Sequence, residues 1–186
     1  MDFEPTEQQR MIVDQIRRFV HEEIIPLEAK LDPDASELPK EDFDRLSDMV
    51  RGMGLWGLDV PEEYGGAGVD LVTRTLIAFE MSQHRAGLYV PCYGVFGTMG
   101  LAQLYEATDD QKERYLKPVL RGEKKGFFGL TEPSGGSDPA RAIRTRAVKD
   151  GRAWIINGSK GYISGADRAD LGLVFARTDP EKGRGG

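Results

Sequence analysis

Apolar residues in the first half of the chain recur at helical spacing. Ile12, Ile16, Phe19 and Val20 form one stripe, extended by Ile24, and Thr6 with Gln9 makes a capping-box pattern ahead of it. Pro26 predicts a kink or an end there. A second helix is expected from near Pro39, with Phe43, Leu46 and Val50 inward and Gly52 and Gly54 closing it. Residues 58–70, LDVPEEYGGAGVD, read as a turn-rich connection. Asp70 then caps a third helix carrying Leu71, Leu76 and Phe79. The apolar stretch GLYVPCYGVFGTMGLAQLYEA has the length of a buried helix after Pro91. Thr108 and Gln111 repeat the capping box before a helix with Tyr115, Leu116, Val119 and Leu120 on one face, despite Pro118.

From about residue 126 the period changes. GFFGL reads as a buried strand. In AIRTRAVKDGRAWIING, Ile143, Thr145 and Ala147 alternate with Arg144, Arg146 and Val148, and Asp150-Gly151 and Asn157-Gly158 are turn signals. DLGLVFART is a further strand. The expected fold class is therefore α+β: an all-α helical domain over residues 1–125, then residues 126–186 as the first strands of an antiparallel β domain. A sheet that stops after three or four strands leaves an edge unpaired. The chain reads as the opening part of a longer protein.

Composition narrows the function classes. The 186 residues carry 25 basic and 31 acidic side chains, net charge −6, which argues against general nucleic-acid binding. No apolar run approaches the roughly 18 residues of a membrane helix. The single cysteine, Cys92, fits a reducing compartment, so a cytoplasmic location is expected. With two histidines and one cysteine, the usual metal-ligand clusters are missing.

Several motifs have plain readings. GMGLWG, residues 52–57, fits G-x-G-x-x-G, but a dinucleotide site needs a strand before it and a helix after it. Here a helix precedes and LDVP follows, so the glycines end a helix. The basic run Arg141, Arg144, Arg146, Lys149 and Arg152 reads as the solvated face of a strand pair, with phosphate contact as the other reading. Cys92 reads as a core residue, and His21 and His84 as surface or satisfied polar residues.

Residues 129–138, GLTEPSGGSD, are different. Thr131, Ser134 and Ser137 offer hydroxyls, Pro133 fixes a turn, and Gly135 and Gly136 let backbone amides approach a ligand. Such a loop suits a large polar ligand with phosphate and carbonyl acceptors. An interdomain linker would look similar in composition, but an apolar GFFGL would not usually lead into one.

This loop resembles the flavin-loop signature of acyl-CoA dehydrogenases. VPEEYGGAG, TDDQKERYLKPVLRGEKKGFFGLTEP and INGSKGYISGADRADLGLVFART follow the same family in order and spacing, so the resemblance covers essentially the whole chain. It implies a helical N-terminal domain, a middle β domain and a C-terminal helical bundle, the last absent from these 186 residues. It implies FAD, an acyl-CoA substrate oxidised to its 2-enoyl form, electron-transferring flavoprotein as acceptor, and a homo-oligomer, dimer or tetramer. Carried over residue by residue, Phe128, Gly129, Leu130, Thr131, Gly136 and Ser137 would line FAD, as would Tyr162, Ile163 and Ser164. Leu130 and Thr131 would face the flavin's polar edge, Ser164 would lie towards N5, and Ser137 would also meet the acyl-CoA arm. Tyr93 and Phe96 would line the acyl pocket, their bulk hinting at a short, cyclic or aromatic acyl group; core packing is the other reading. The family's catalytic base comes from the C-terminal bundle, so no catalytic residue is expected here, and residues 1–186 alone are expected to be inactive. Glu132 reads as a loop-structuring carboxylate.

The chain departs from the family pattern at Tyr162 and Ser164, where tryptophan and threonine are usual, and at Arg141, where a small residue is usual. Ser134-Gly135-Gly136 replaces a commoner Gly-Ala-Gly. Two alternatives stay open: a flavin-dependent monooxygenase or nitroalkane oxidase of the same fold, and a non-catalytic flavin or acyl-CoA binding fragment.

Overall fold

The computed structural model describes residues 4–35, 37–83, 94–97, 101–135 and 137–185. The chain divides into two compact units, Met1–Met99 and Gly100–Gly186.

The first unit is helical. Helix α1, Glu7–Phe19, begins at the Thr6 cap, with Thr6 and Gln9 exchanging both bonds of the capping box. It does not stop at Pro26. Residues Val20–Ile24 widen into a π turn, and the Ile25 N–H reaches back five residues to the Val20 carbonyl before α2, Ile25–Glu28, resumes. Proline has no N–H and its ring crowds the carbonyl four residues back, so a wider turn lets the helix pass it. Helix α3, Lys40–Gly52, starts after Pro39 and ends as the glycines predict. Gly54, at φ +71°, donates to the Arg51 carbonyl and Leu55 to that of Val50, with Leu55 and Val50 both buried. This is a Schellman motif with its apolar clasp, and it accounts for the GMGLWG stretch. The Arg51 guanidinium lies 3.4 Å over the Trp56 ring.

Helix α4, Leu71–Met81, is capped by Asp70 as expected, but it turns a different face inward. Thr73, Ile77 and Glu80 are buried, whereas Leu71 and Phe79 are each 75% exposed. Polar bonds to α1 select this face. The Arg17 guanidinium grips both Glu80 oxygens at 3.1 and 2.8 Å, and the Gln9 amide donates to the Thr73 hydroxyl at 3.0 Å. Ile16, Phe19, Val20, Ile24, Leu46, Val50 and Ile77 fill the core.

The helix expected across GLYVPCYGVFGTMGLAQLYEA falls partly outside the described residues, and where it is described it is not one continuous helix. Gly94–Gly97 is a turn with Gly94 at φ +89° and Gly97 at φ +81°. It docks through the Gly57 N–H to the Phe96 carbonyl, 2.9 Å, and a Cβ on Gly97 would sit 2.9 Å from the Trp56 ring. Glycine in the left-handed region therefore breaks the apolar run.

The second unit opens with a short 3-10 turn, Ala102–Glu106. Helix α5, Asp109–Gln111, is capped by Thr108 in the expected box, and a π turn, Lys112–Leu116, leads to α6, Lys117–Leu120. Pro118 is handled as Pro26 is: the preceding residue, Lys117, donates to the carbonyl of Lys112. Leu116, Val119 and Leu120 are buried.

Strand β1, Gly126–Gly129, leads into the loop that contains α7, Pro139–Ala142. Strands β2, Arg146–Asp150, and β3, Ala153–Asn157, form an antiparallel hairpin with Lys149 opposite Trp154. Gly151 at φ +57° takes the first central position of its two-residue turn, as a type II′ turn requires. Strand β4, Leu171–Val174, pairs with β1 in parallel, not antiparallel. Some forty residues separate the two strands, and a connection of that length can bring the chain back in the same direction. GFFGL is less buried than its composition suggests: Phe128 is 43% exposed. Along β2 the expected alternation holds, with Thr145 and Ala147 buried and Arg144, Arg146 and Val148 exposed. Arg141 on α7, Lys149 on β2 and Arg152 in the hairpin turn are exposed too, so the basic run is solvated but does not share one strand face.

Candidate functional site

The second unit brings together the two segments that the sequence marks out thirty residues apart. The loop after β1 reverses tightly: Glu132 and Gly135 exchange backbone bonds across Pro133 and Ser134. A Cβ on Gly135 would lie 2.7 Å from that of Ala142, so only glycine lets the loop fold over α7. The segment after β3 runs alongside. The Gly161 N–H donates to the Thr131 carbonyl at 3.0 Å, and the Lys160 ammonium donates to the Leu130 carbonyl at 3.0 Å and to Glu132 Oε1 at 2.9 Å.

Glu132 ties this junction to the sheet. Its carboxylate, only 5% exposed, accepts the backbone N–H of Arg144 at 2.7 Å and of Thr145 at 2.9 Å. Burial on its own would raise its pKa. The Thr145 side chain, Lys160 and the two backbone amides outweigh that and hold it at about 2. The Thr145 hydroxyl is buried and makes no hydrogen bond among the described residues. Glu132 thus serves loop structure, as its place between Thr131 and Pro133 implied, although the amides it binds are 12 and 13 residues further on.

Gly158 makes this junction possible. A Cβ there would meet the Thr145 hydroxyl at 2.2 Å and the Thr145 Cα at 2.6 Å. Asn157-Gly158 is therefore not a hairpin turn but a point of close backbone approach.

Three consecutive carbonyls, of Leu130, Thr131 and Glu132, accept bonds from Lys160, Gly161 and Gly135. The backbone N–H groups of Leu130 and Thr131 find no protein acceptor among the described residues. At Leu130 and Thr131 the loop therefore keeps its donors and has used its acceptors. Thr131 is half-buried and Ser137 is exposed. Across from the loop, Tyr162 is 93% exposed at φ +57°, a left-handed conformation that costs a bulky residue roughly 1–2 kcal/mol. Ile163 is half-buried and Ser164 exposed. Phe128 on β1 packs its ring against Phe175, centroids 4.9 Å apart, and the Gly129 carbonyl accepts from the Phe175 N–H.

Gly136 and Tyr93 lie outside the described residues, as do His84 and Cys92. Phe96 is buried in the first unit, edge-on to Phe19 at 5.5 Å. Lys160, Thr145 and Gly158 were missed as organisers of the site. The signal for Lys160 was a lone charge in the glycine-flanked SKGYIS. No group of histidine, cysteine or acidic residues among the described residues is placed to hold a metal ion. No described helix is long and apolar enough to cross a membrane.

Comparisons with known proteins give the family. Residues 6–123 match the acyl-CoA dehydrogenase N-terminal domain and residues 127–186 the acyl-CoA dehydrogenase middle domain. The chain belongs to the acyl-CoA dehydrogenase family. It is 41% identical to the 3-(aryl)acrylate reductase of Clostridium sporogenes over 97% of its own length and 46% of that protein. Among solved structures it resembles butyryl-CoA dehydrogenase from Megasphaera elsdenii, with TM-score 0.74 and 32% identity, over 98% of this chain and 47% of that one. It also resembles a glutaryl-CoA dehydrogenase from Mycobacterium smegmatis in complex with FADH2, with TM-score 0.69 and 30% identity, over 94% of this chain and 44% of that one. The chain spans about half the length of the curated relatives it matches.

Proposed function

We propose that this chain carries the flavin-facing part of an FAD-dependent acyl-CoA dehydrogenase, and that the whole enzyme oxidises an acyl-CoA thioester to its 2-enoyl form. One observation carries the reading: the loop at residues 129–138 meets the segment at 160–164 with the carbonyls of Leu130, Thr131 and Glu132 engaged and the N–H groups of Leu130 and Thr131 left without a protein acceptor among the described residues. Such a surface suits a planar ring whose edge is rich in acceptors. When bound, FAD supplies the hydride acceptor, which no protein side chain can be.

In this reading Phe128, Gly129, Leu130 and Thr131 form one wall; Gly136, outside the described residues, is assigned to it by the family resemblance alone. The Thr131 hydroxyl and N–H donate to the ring's polar edge. Tyr162 gives an aromatic face, and its strained backbone and exposure support a role beyond packing. Ile163 continues this second contact. Ser164 donates towards N5, and Ser137 serves the pyrophosphate and the acyl-CoA arm. The proposed electron acceptor is an electron-transferring flavoprotein, the whole enzyme a homo-oligomer (dimer or tetramer), and the compartment the cytoplasm, in keeping with the single cysteine. The name of the C. sporogenes relative favours an aromatic acyl group and also a second reading, reduction of an aryl acrylate thioester at the same site. Phe96 lends no support to an acyl-pocket role, since its ring packs on Phe19.

Titration of the chain with FAD, followed by flavin fluorescence, tests the site. Saturable binding, weakened in both Thr131→Val and Ser137→Ala, is expected. Absence of binding, or equal affinity in the parent and both variants, overturns the assignment. In the whole enzyme, anaerobic flavin bleaching by arylpropanoyl-CoA separates oxidation from reduction as the working direction.

A further inference from the structure

Lys160 is an expensive residue for its place. Its side chain is 11% exposed, and an ammonium at such a depth must be repaid by well-aligned partners. An apolar side chain of equal length would fill the same space. What lysine adds is direction. Its Nζ reaches the Leu130 carbonyl at 3.0 Å and Glu132 Oε1 at 2.9 Å, both on the loop, while its neighbour Gly161 holds the Thr131 carbonyl at 3.0 Å.

The peptide unit is planar and trans, so the C=O of one residue and the N–H of the next point in opposite directions. Drawing the Leu130 carbonyl towards Lys160 therefore turns the Thr131 N–H away from it. That N–H has no acceptor among the described residues. Glu132 anchors the ammonium in turn, because its other bonds are to the backbone of Arg144 and Thr145, just before β2. Orientation passes from the hairpin to Glu132, to Lys160, and to the Leu130–Thr131 peptide.

We propose that Lys160 is a positioning residue for the flavin site: it sets the Leu130–Thr131 peptide so that the Thr131 N–H is presented to a ring acceptor, and it clamps the 129–138 loop to the 160–164 segment. The inference rests on the flavin reading above and adds to it a residue that would not itself touch the cofactor.

The test uses the 186-residue chain as parent, Lys160→Met and Lys160→Arg, read by amide hydrogen exchange and by FAD titration. In the parent without FAD, the Thr131 amide should exchange fast and the Gly161 amide slowly; FAD should then slow Thr131. In Lys160→Met the Gly161 protection should fall and FAD affinity should drop about ten-fold or more, the loss of one well-aligned bond. Lys160→Arg, which keeps the charge, should recover part of both. Affinity within two-fold of the parent in a folded Lys160→Met overturns the proposal. If that variant does not fold, the parent decides: a Thr131 amide already protected without FAD, or one unmoved by FAD that binds, overturns it. A parent that binds no FAD counts against the flavin reading, while the exchange contrast between Thr131 and Gly161 still judges the clamp.

Discussion

Acid should loosen the second unit through one carboxylate. Glu132 has a pKa of about 2 in the folded chain against an ordinary 4.5. A group depressed on folding contributes stability above its unfolded pKa and loses it as pH falls through the folded value. The window is therefore about pH 4.5 down to 2. The shift converts to at most roughly 3 kcal/mol at about 1.36 kcal/mol per pH unit. The second unit is small and solvent lies close by, so about 2 kcal/mol is the working figure. Glu132→Gln removes the titration and the charge opposite Lys160, and turns an amide N–H₂ towards backbone donors. It should cost about 2–3 kcal/mol at pH 7, with the gap from the parent closing as pH approaches 2. Urea unfolding at pH 7, 4.5, 3 and 2 measures this. Trp154 reports on the second unit and Trp56 on the first, and these are the only tryptophans. If the parent and Glu132→Gln lose stability in parallel over that window, Glu132 does not carry the acid response and the ion-pair account is wrong.

Three further outcomes follow from the same geometry. Tyr162→Gly should stabilise the apo chain by about 1 kcal/mol by relieving the positive φ, while weakening FAD binding; a variant less stable than the parent in urea would refute the strain argument. Gly158→Ala should destabilise the second unit by about 2–3 kcal/mol, and Thr145→Ala should not rescue it, because the Thr145 Cα as well as its hydroxyl lies in the way; the Trp154 transition reads both. In the whole enzyme Ser164→Ala should slow flavin reduction about ten-fold, equivalent to about 1.4 kcal/mol, with Ser164→Thr near the parent rate; stopped-flow reduction at the parent rate in the alanine variant would remove Ser164 from the site.

Local chemistry in the sequence determined the caps and stops. Thr6 with Gln9, Thr108 with Gln111, Asp70, and Gly54 each act within a few residues, so their roles were legible before any packing was known. The two segments proposed to face the flavin stood out as well, through residue types that together resemble one family. Only the tertiary structure decided which face of α4 turned inward, since Arg17 and Gln9, more than sixty residues away, outbid Leu71 and Phe79 for it. It also turned β4 parallel to β1, continued two helices past their prolines by π turns, and put glycines 94 and 97 into a turn within an apolar run. The junction of Lys160, Glu132 and the amides of Arg144 and Thr145 belongs here too. Its partners lie 12 to 30 residues apart, and neither hydrophobic period nor turn propensity reports a bond between residues that meet only when the chain has folded.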